Sequence, residues 1–174
     1  GDEVRGDVRA AGVNPVDWKM REGGPLRLAA RAIGPGAPFV PGVDFAGVVA
    51  AVGPRAEKFR PGDRVTGGTD FSRRQRGSYA DTVVVREDQL AAVPDGVDLE
   101  VAAALPIAGV TAWRALFALG RLDAVAPDAR RVLVLGASGG VGQLVVQLAR
   151  GASADVTAVC SGRNAALVVE LGAS

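Results

Sequence analysis

The apolar pattern changes character part-way along the chain. Up to Val97 the apolar residues fall in short runs punctuated by Gly and Pro, the texture of a small β-structure. Residues 1–13 alternate imperfectly, and Gly6 and Asp7 are poor strand formers, so the pattern predicts a weak or edge strand. Asn14-Pro15 reads as a turn, because proline fixes its own φ and biases the residue before it towards an extended conformation. Residues 21–42 read as a long loop over a cleft, with a short helix over Leu26 to Ala32. Residues 43–53 read as a strand with a glycine bulge, and 59–65 as a Pro-Gly turn entering another strand. A polar stretch over 66–77 is followed by a clear strand over 77–85. Beyond Val97 the spacing turns helical. Asp98 is placed to cap a helix over Leu99 to Leu105, a second helix opens at Ala108 and runs towards Gly120, and Leu122 to Arg130 is a connector. An unbroken β-rich run from Val132 predicts a strand buried on both faces of a parallel sheet. Val141, Leu144, Val145 and Leu148 then recur at helical spacing, and Asp155 to Cys160 form a second β-rich run. The change of texture predicts a domain boundary near residue 105.

The turn between the first of those strands and its helix carries the clearest chemistry. Ala137-Ser138-Gly139-Gly140-Val141-Gly142 fits G/A-x-G-x-x-G with alanine in the first slot. A helix amino terminus leaves N–H groups unpaired and carries partial positive charge, so it attracts a pyrophosphate. Glycines let the backbone approach that anion and let helix and strand pack closely. The motif alone is weak, and strand–turn–helix–strand spacing strengthens it. After the second strand, where an acidic residue would grip the ribose 2′-hydroxyl of NAD, stand Ser161-Gly162-Arg163-Asn164. A hydroxyl and an arginine suit the 2′-phosphate of NADP. The plainer alternative makes Arg163 a solvated arginine opening the next helix.

Composition narrows the classes. Of 174 residues 48% are hydrophobic, and the formal charge of +1 gives no case for a nucleic-acid partner. No apolar run is long enough to span a bilayer and no signal peptide opens the chain. The single cysteine, Cys160, rules out an intrachain disulfide and points to a reducing, cytoplasmic setting. There is no histidine, so the chain lacks the usual ligands of a zinc site. Arg73, Arg74 and Arg76 read as a solvated loop, with phosphate contact as the sharper option.

The order of Asn14-Pro15-Val16-Asp17, Pro41 to Val49, Pro61 to Val65, Gly77 to Ala80, Ala102 to Pro106 and the glycine loop resembles the medium-chain dehydrogenase/reductase superfamily, in particular its zinc-independent quinone oxidoreductase branch. The resemblance implies an α/β plus all-β chain: a GroES-like β-barrel catalytic domain over 1–105, lacking its first strand, then the first βαβ half of a Rossmann domain over 106–174. It implies NADPH as cofactor and quinones, enones, enoyl thioesters or other activated alkenes as small-molecule substrates. In the zinc alcohol dehydrogenases of the superfamily a cysteine stands where Asn14 is, and Gly-His-Glu where this chain has Gly42-Val43-Asp44. The chain is shorter than the family pattern and reads as a truncated product. Its partner is then a homodimer mate or a missing carboxy-terminal half.

By resemblance, Asn14 is the candidate donor to the substrate oxygen, with Asp17 and Lys19 beside it; the alternatives are a turn residue held by Pro15 and a surface ion pair. Tyr79 reads as core packing in a strand rather than as a proton donor. Thr111, at the start of its helix, is placed beside the nicotinamide. Ser138, Gly139, Gly140 and Val141 contact pyrophosphate, and Ser161 and Arg163 the 2′-phosphate. Cys160 reads as an inert core thiol. Two other readings stay open: a catalytically inactive remnant, and an interaction module built on the barrel.

Overall fold

The computed structural model describes residues 1–34 and 38–174. Two compact units emerge, Gly1–Ile107 and Ala108–Ser174. The first is built on five antiparallel strands: β1 (Glu3–Ala11), β2 (Asp44–Val52), β3 (Arg64–Gly68), β4 (Thr82–Arg86) and β5 (Leu90–Ala92), in the order β4-β1-β2-β3-β5. Far from being an edge, β1 pairs with β2 on one side and β4 on the other. Gly6, a poor strand residue by propensity, is nevertheless paired on both sides, with Val49 and with Val83, and a Cβ on it would make only ordinary contacts, 3.6 Å to the Phe45 ring and 3.7 Å to Val83. Gly47 in β2 serves close approach, since a Cβ there would collide with the Asp7 carbonyl. The expected irregularity in β2 falls at Ala50, skipped between the Arg5–Ala51 and Gly6–Val49 pairs, and a second on β1 at Arg9 faces Gly47 and Ala46.

The loop expected over 21–42 holds the end of one helix and the whole of a second, longer than the short helix expected over Leu26 to Ala32. Helix α1 spans Pro15–Glu22 and α2 spans Gly24–Ile33, separated by Gly23 at φ 117°. Asn14 is the extended N-cap, Pro15 takes the first helical position, and Asp17 accepts the Asn14 N–H in return. The part of that loop at residues 35–37 lies outside the described residues. The predicted strand over 77–85 is confined to β4. Gly77, Ser78 and Tyr79 instead donate their N–H groups to the carbonyls of Val40, Gly42 and Pro41.

Val4, Val49, Phe59 and Val65 form one buried cluster, and Phe45, Val83 and Val85 another; Leu90 of β5 packs against both. The sheet therefore curls until its two ends share a core. Each such buried side chain contributes roughly 1.5–3 kcal/mol. Helix α3 (Leu99–Ala103) lays Ala102 and Ala103 on Ala46 and Val93. Asp98 is its N-cap residue, as the sequence suggests, but its side chain makes no capping bond.

Helix α4 (Pro106–Trp113) runs on into a π-helical turn over Arg114–Leu119. The second unit then forms one parallel strand pair, β6 (Arg131–Leu135) and β7 (Asp155–Val159), joined through α5 (Gly140–Gly151) and followed by α6 (Ala165–Glu170). Val134, Val156, Val146, Ala149 and Val168 share its core. Burial of β6 on both faces is not observed. Leu133 and Leu135 are 63% and 73% exposed, because α5 and α6 contribute to the single cluster on the Val134 face. No helix among the described residues is long and apolar enough to cross a membrane.

Candidate functional site

Two buried carboxylates organise the first unit's polar centre. Asp44 opens β2 and is 1% exposed; Asp17, in the first turn of α1, is 2% exposed. Asn14 joins them. Its side-chain Nδ2 donates to Asp44 Oδ2 at 2.9 Å, and its backbone N–H donates to Asp17 Oδ2 at 2.7 Å. Ile107 donates its N–H to both Asp44 oxygens, at 3.2 and 3.1 Å. Pro106 has no N–H, so Ile107 offers the first orphan donor of α4, and a residue 63 positions earlier caps it. The Ser78 hydroxyl donates to the Asp44 carbonyl at 2.8 Å and fixes the backbone behind the carboxylate. The Tyr79 phenol lies 3.3 Å from Asp17 Oδ2 and 3.3 Å from the Gly12 carbonyl. Gly12 is packed so tightly that a Cβ would run into the Ala103 carbonyl.

Burial pushes the Asp44 carboxyl above its ordinary range. The bonds from Asn14 and Ile107 pull it back in part, and the charge of Asp17 adds to the rise. The Tyr79 phenol is raised by burial and by the same Asp17 charge, so it stays a neutral donor. Asp17 Oδ1 is buried and has no hydrogen-bond partner among the described residues. An Asn amide carries two N–H donors. One is held by Asp44, which orients the amide and leaves the other to offer.

Of the residues singled out in the sequence, Asn14 and Asp17 are brought together and Lys19 is not. Lys19 is exposed, with its Nζ 5.5 Å from the Trp18 ring centroid. Tyr79 is not core packing: it is 39% exposed, stands in the turn before β4 and points its hydroxyl into the cluster. Asp44 was not singled out. Its signal was a lone charge inside the apolar run from Val43 to Val49. The side chains gathered here are an amide, a phenol and two carboxylates. No group of three or more His, Cys, Asp or Glu suited to a metal occurs among the described residues.

In the second unit, Gly136 takes φ 72° and turns the chain out of β6. The N–H groups of Gly136 and Ala137 both donate to the Val159 carbonyl, at 2.9 and 3.0 Å, tying the loop to the end of β7. Gly139 is the extended N-cap of α5. The next N–H groups, at Gly140, Val141 and Gly142, belong to the first turn, which has no intrahelical acceptor for them. A Cβ on Gly140 would meet nothing within 4 Å, whereas one on Gly142 would collide with the Gly136 carbonyl. One glycine leaves open space over the helix end and the other lets the loop close on the helix. Ser138 is half-buried, and its Oγ accepts from Asn164 Nδ2 at 2.9 Å. Ser161 and Arg163 are exposed in and beside the 3-10 turn Gly162–Asn164, and no carboxylate shares that turn. Thr111 is exposed within α4, several residues in rather than at its start. Cys160, just after β7, is half-buried against the unit's core.

Comparison with known proteins decides the family. The alcohol dehydrogenase GroES-like domain matches residues 1–95, which include Asn14, Asp17, Asp44 and Tyr79. The chain belongs to the medium-chain dehydrogenase/reductase superfamily. It is 38% identical over 174 residues to a chloroplastic quinone-oxidoreductase homologue of Spinacia oleracea, covering 99% of this chain and 51% of that protein. It is 37% identical over 180 residues to a trans-enoyl reductase of Pyricularia grisea, covering 99% of this chain and 46% of that protein. Among solved structures, the yhdH oxidoreductase of Salmonella enterica in complex with NADP superposes with a TM-score of 0.79 at 30% identity, covering 99% of this chain and 51% of that one. This member of the superfamily thus spans about half the length of the relatives it matches.

Proposed function

We propose that this chain is the barrel and first cofactor-binding half of an NADPH-dependent, zinc-independent oxidoreductase acting on quinones or other activated alkenes. The observation that carries the reading is the glycine loop. Gly140 leaves open space over the amino end of α5, Gly142 closes the loop on the helix, and the turn after β7 offers Ser161 and Arg163 without a carboxylate. Backbone N–H groups and the Ser138 hydroxyl suit a pyrophosphate, and Arg163 suits a 2′-phosphate. NADPH, when bound, supplies a hydride.

The polar cluster fits the other half of such a reaction. An electron-poor alkene or quinone gains negative charge on its oxygen as hydride adds to it. With no histidine in the chain and its only cysteine at position 160, the cluster cannot build the usual zinc site, so that charge falls to hydrogen-bond donors. Asn14 offers the free amide N–H. Asp44 holds the amide in orientation, and Asp17 fixes the backbone beneath it. Tyr79 keeps its proton on the cluster side, bonded to Asp17. Thr111 belongs to the reading through resemblance alone. The relatives' names support both substrate classes, quinone and enoyl.

The test is NADPH oxidation by the natural-length protein with a quinone and with an enone as acceptors. The proposal expects turnover with at least one, and a fall in kcat of roughly 10²-fold for Asn14→Ala, the size of a lost oxyanion donor, with NADPH affinity unchanged. Turnover that Asn14→Ala leaves intact would remove Asn14 from the chemistry. Tight NADPH binding with neither acceptor reduced would remove the substrate class.

A further inference from the structure

Asn164 closes the 3-10 turn Gly162–Asn164, which runs directly into α6; its φ of -106° and ψ of 5° are not the extended geometry of a capping residue, and its side chain makes no bond to the helix start. The amide is used elsewhere: Nδ2 donates to Ser138 Oγ, 26 residues back in the glycine loop, at 2.9 Å. A serine hydroxyl has one proton and two acceptor lone pairs. With Asn164 donating to the oxygen, the Ser138 proton must point away from Asn164. The hydroxyl is thereby fixed as a donor on the remaining side.

We infer that Asn164 is a positioning residue for the dinucleotide: from the turn that carries Ser161 and Arg163 it sets Ser138 as a hydrogen-bond donor to the pyrophosphate. The inference rests on the NADPH reading above. The turn is short and well tied, since the Asn164 N–H donates to the Ser161 carbonyl at 2.8 Å. The loop is bound to the same strand end through the Val159 carbonyl. Asn164 adds the side-chain link between the two phosphate-facing segments.

The test is a set of titrations of the full chain, wild type, Asn164→Ala, Ser138→Ala and the double variant, with NADPH and with adenosine 2′-monophosphate. The second probe carries the 2′-phosphate and lacks the pyrophosphate. Loss of one oriented hydrogen bond should weaken NADPH by roughly 5- to 10-fold in Asn164→Ala. Adenosine 2′-monophosphate should be weakened less than twofold. Adding Asn164→Ala to Ser138→Ala should cost no more, because the residue acts through that hydroxyl. A merely structural role would weaken both probes alike and would persist in the Ser138→Ala background; either result overturns the inference and leaves the NADPH reading standing. Wild-type chain that binds neither probe would overturn both.

Discussion

Asn14 Nδ2 and Asp44 Oδ2 stand 2.9 Å apart, the side chain that ends β1's exit turn bonded to the one that opens β2. Both Asp44 oxygens also take the Ile107 N–H, so one carboxylate orients the candidate donor and caps α4. Asparagine in its place could accept from one of these donors and would turn its own NH₂ towards the other. Asp44→Asn should therefore destabilise the chain by about 1–3 kcal/mol at neutral pH, the cost of a buried donor left unpaired, as read by denaturant unfolding.

The same group gives a pH dependence of definite sign. The Asp44 carboxyl is raised from its ordinary 3.8, so between that value and its folded value the native chain holds more protons than the unfolded one. This group's contribution to stability falls as pH rises through that window. The proton-linked part should be greatest below the ordinary carboxylate value and lost once pH exceeds the raised one, leaving the bonds from Asn14 and Ile107 that Asp44→Asn disturbs at neutral pH. Unfolding curves of wild type minus Asp44→Asn across the window check this; a difference that grew with pH would contradict it.

Gly140 and Gly142 should separate folding from binding. Gly142→Ala drives a methyl into the Gly136 carbonyl and should cost about 1–3 kcal/mol in stability. Gly140→Ala meets no protein atom and should leave the melting temperature unchanged or slightly higher. Its methyl would occupy the space over the helix end, so NADPH affinity should drop by roughly 10-fold or more. Thermal melts and titrations of the two variants read both effects.

Tyr79→Phe should remove the single phenol proton, shared between Asp17 Oδ2 and the Gly12 carbonyl, at a cost of about 1 kcal/mol, leaving Asp17 Oδ2 with the Asn14 N–H. Chemical denaturation measures it. A core role for the ring alone would leave stability unchanged in the Phe variant.

The glycine loop and its βαβ setting were legible in the sequence because local spacing encodes them: a β-rich run, a glycine turn and helical periodicity suffice. The barrel was legible as a texture of short strands, and its details were not. Gly6 looked like a weak point because propensity ignores neighbours; β1 is central because β2 and β4 pair with it on its two sides. Helix α1 was hidden by Pro15, which marks a turn and a first helical position equally well. The site was half visible. Asn14 and Asp17 sit in one motif, while Asp44 lies 30 residues from Asn14 and Tyr79 lies 62 residues from Asp17; they meet through the pairing of β1 with β2 and the bonds from Gly77, Ser78 and Tyr79 to residues 40–42, which local spacing does not encode. Burial of β6 on both faces was inferred from composition, which records apolar residues and not what covers them.

Arg163 should set the choice between dinucleotides. It is exposed beside Ser161 with no carboxylate in the turn. Arg163→Ala should weaken NADPH by roughly 10-fold while NADH changes less than twofold, the loss of a charge-assisted pairing to the 2′-phosphate. Paired titrations of the variant read it.

The most direct measurement is a calorimetric titration of the 174-residue chain with NADPH and, in parallel, NADH. Saturable binding with NADPH favoured by roughly 10-fold or more is the predicted result, since one charge-assisted contact separates the two ligands. Equal affinity for both would contradict the 2′-phosphate assignment. A chain that melts cooperatively and binds neither would contradict the central claim that its glycine loop is a working dinucleotide site.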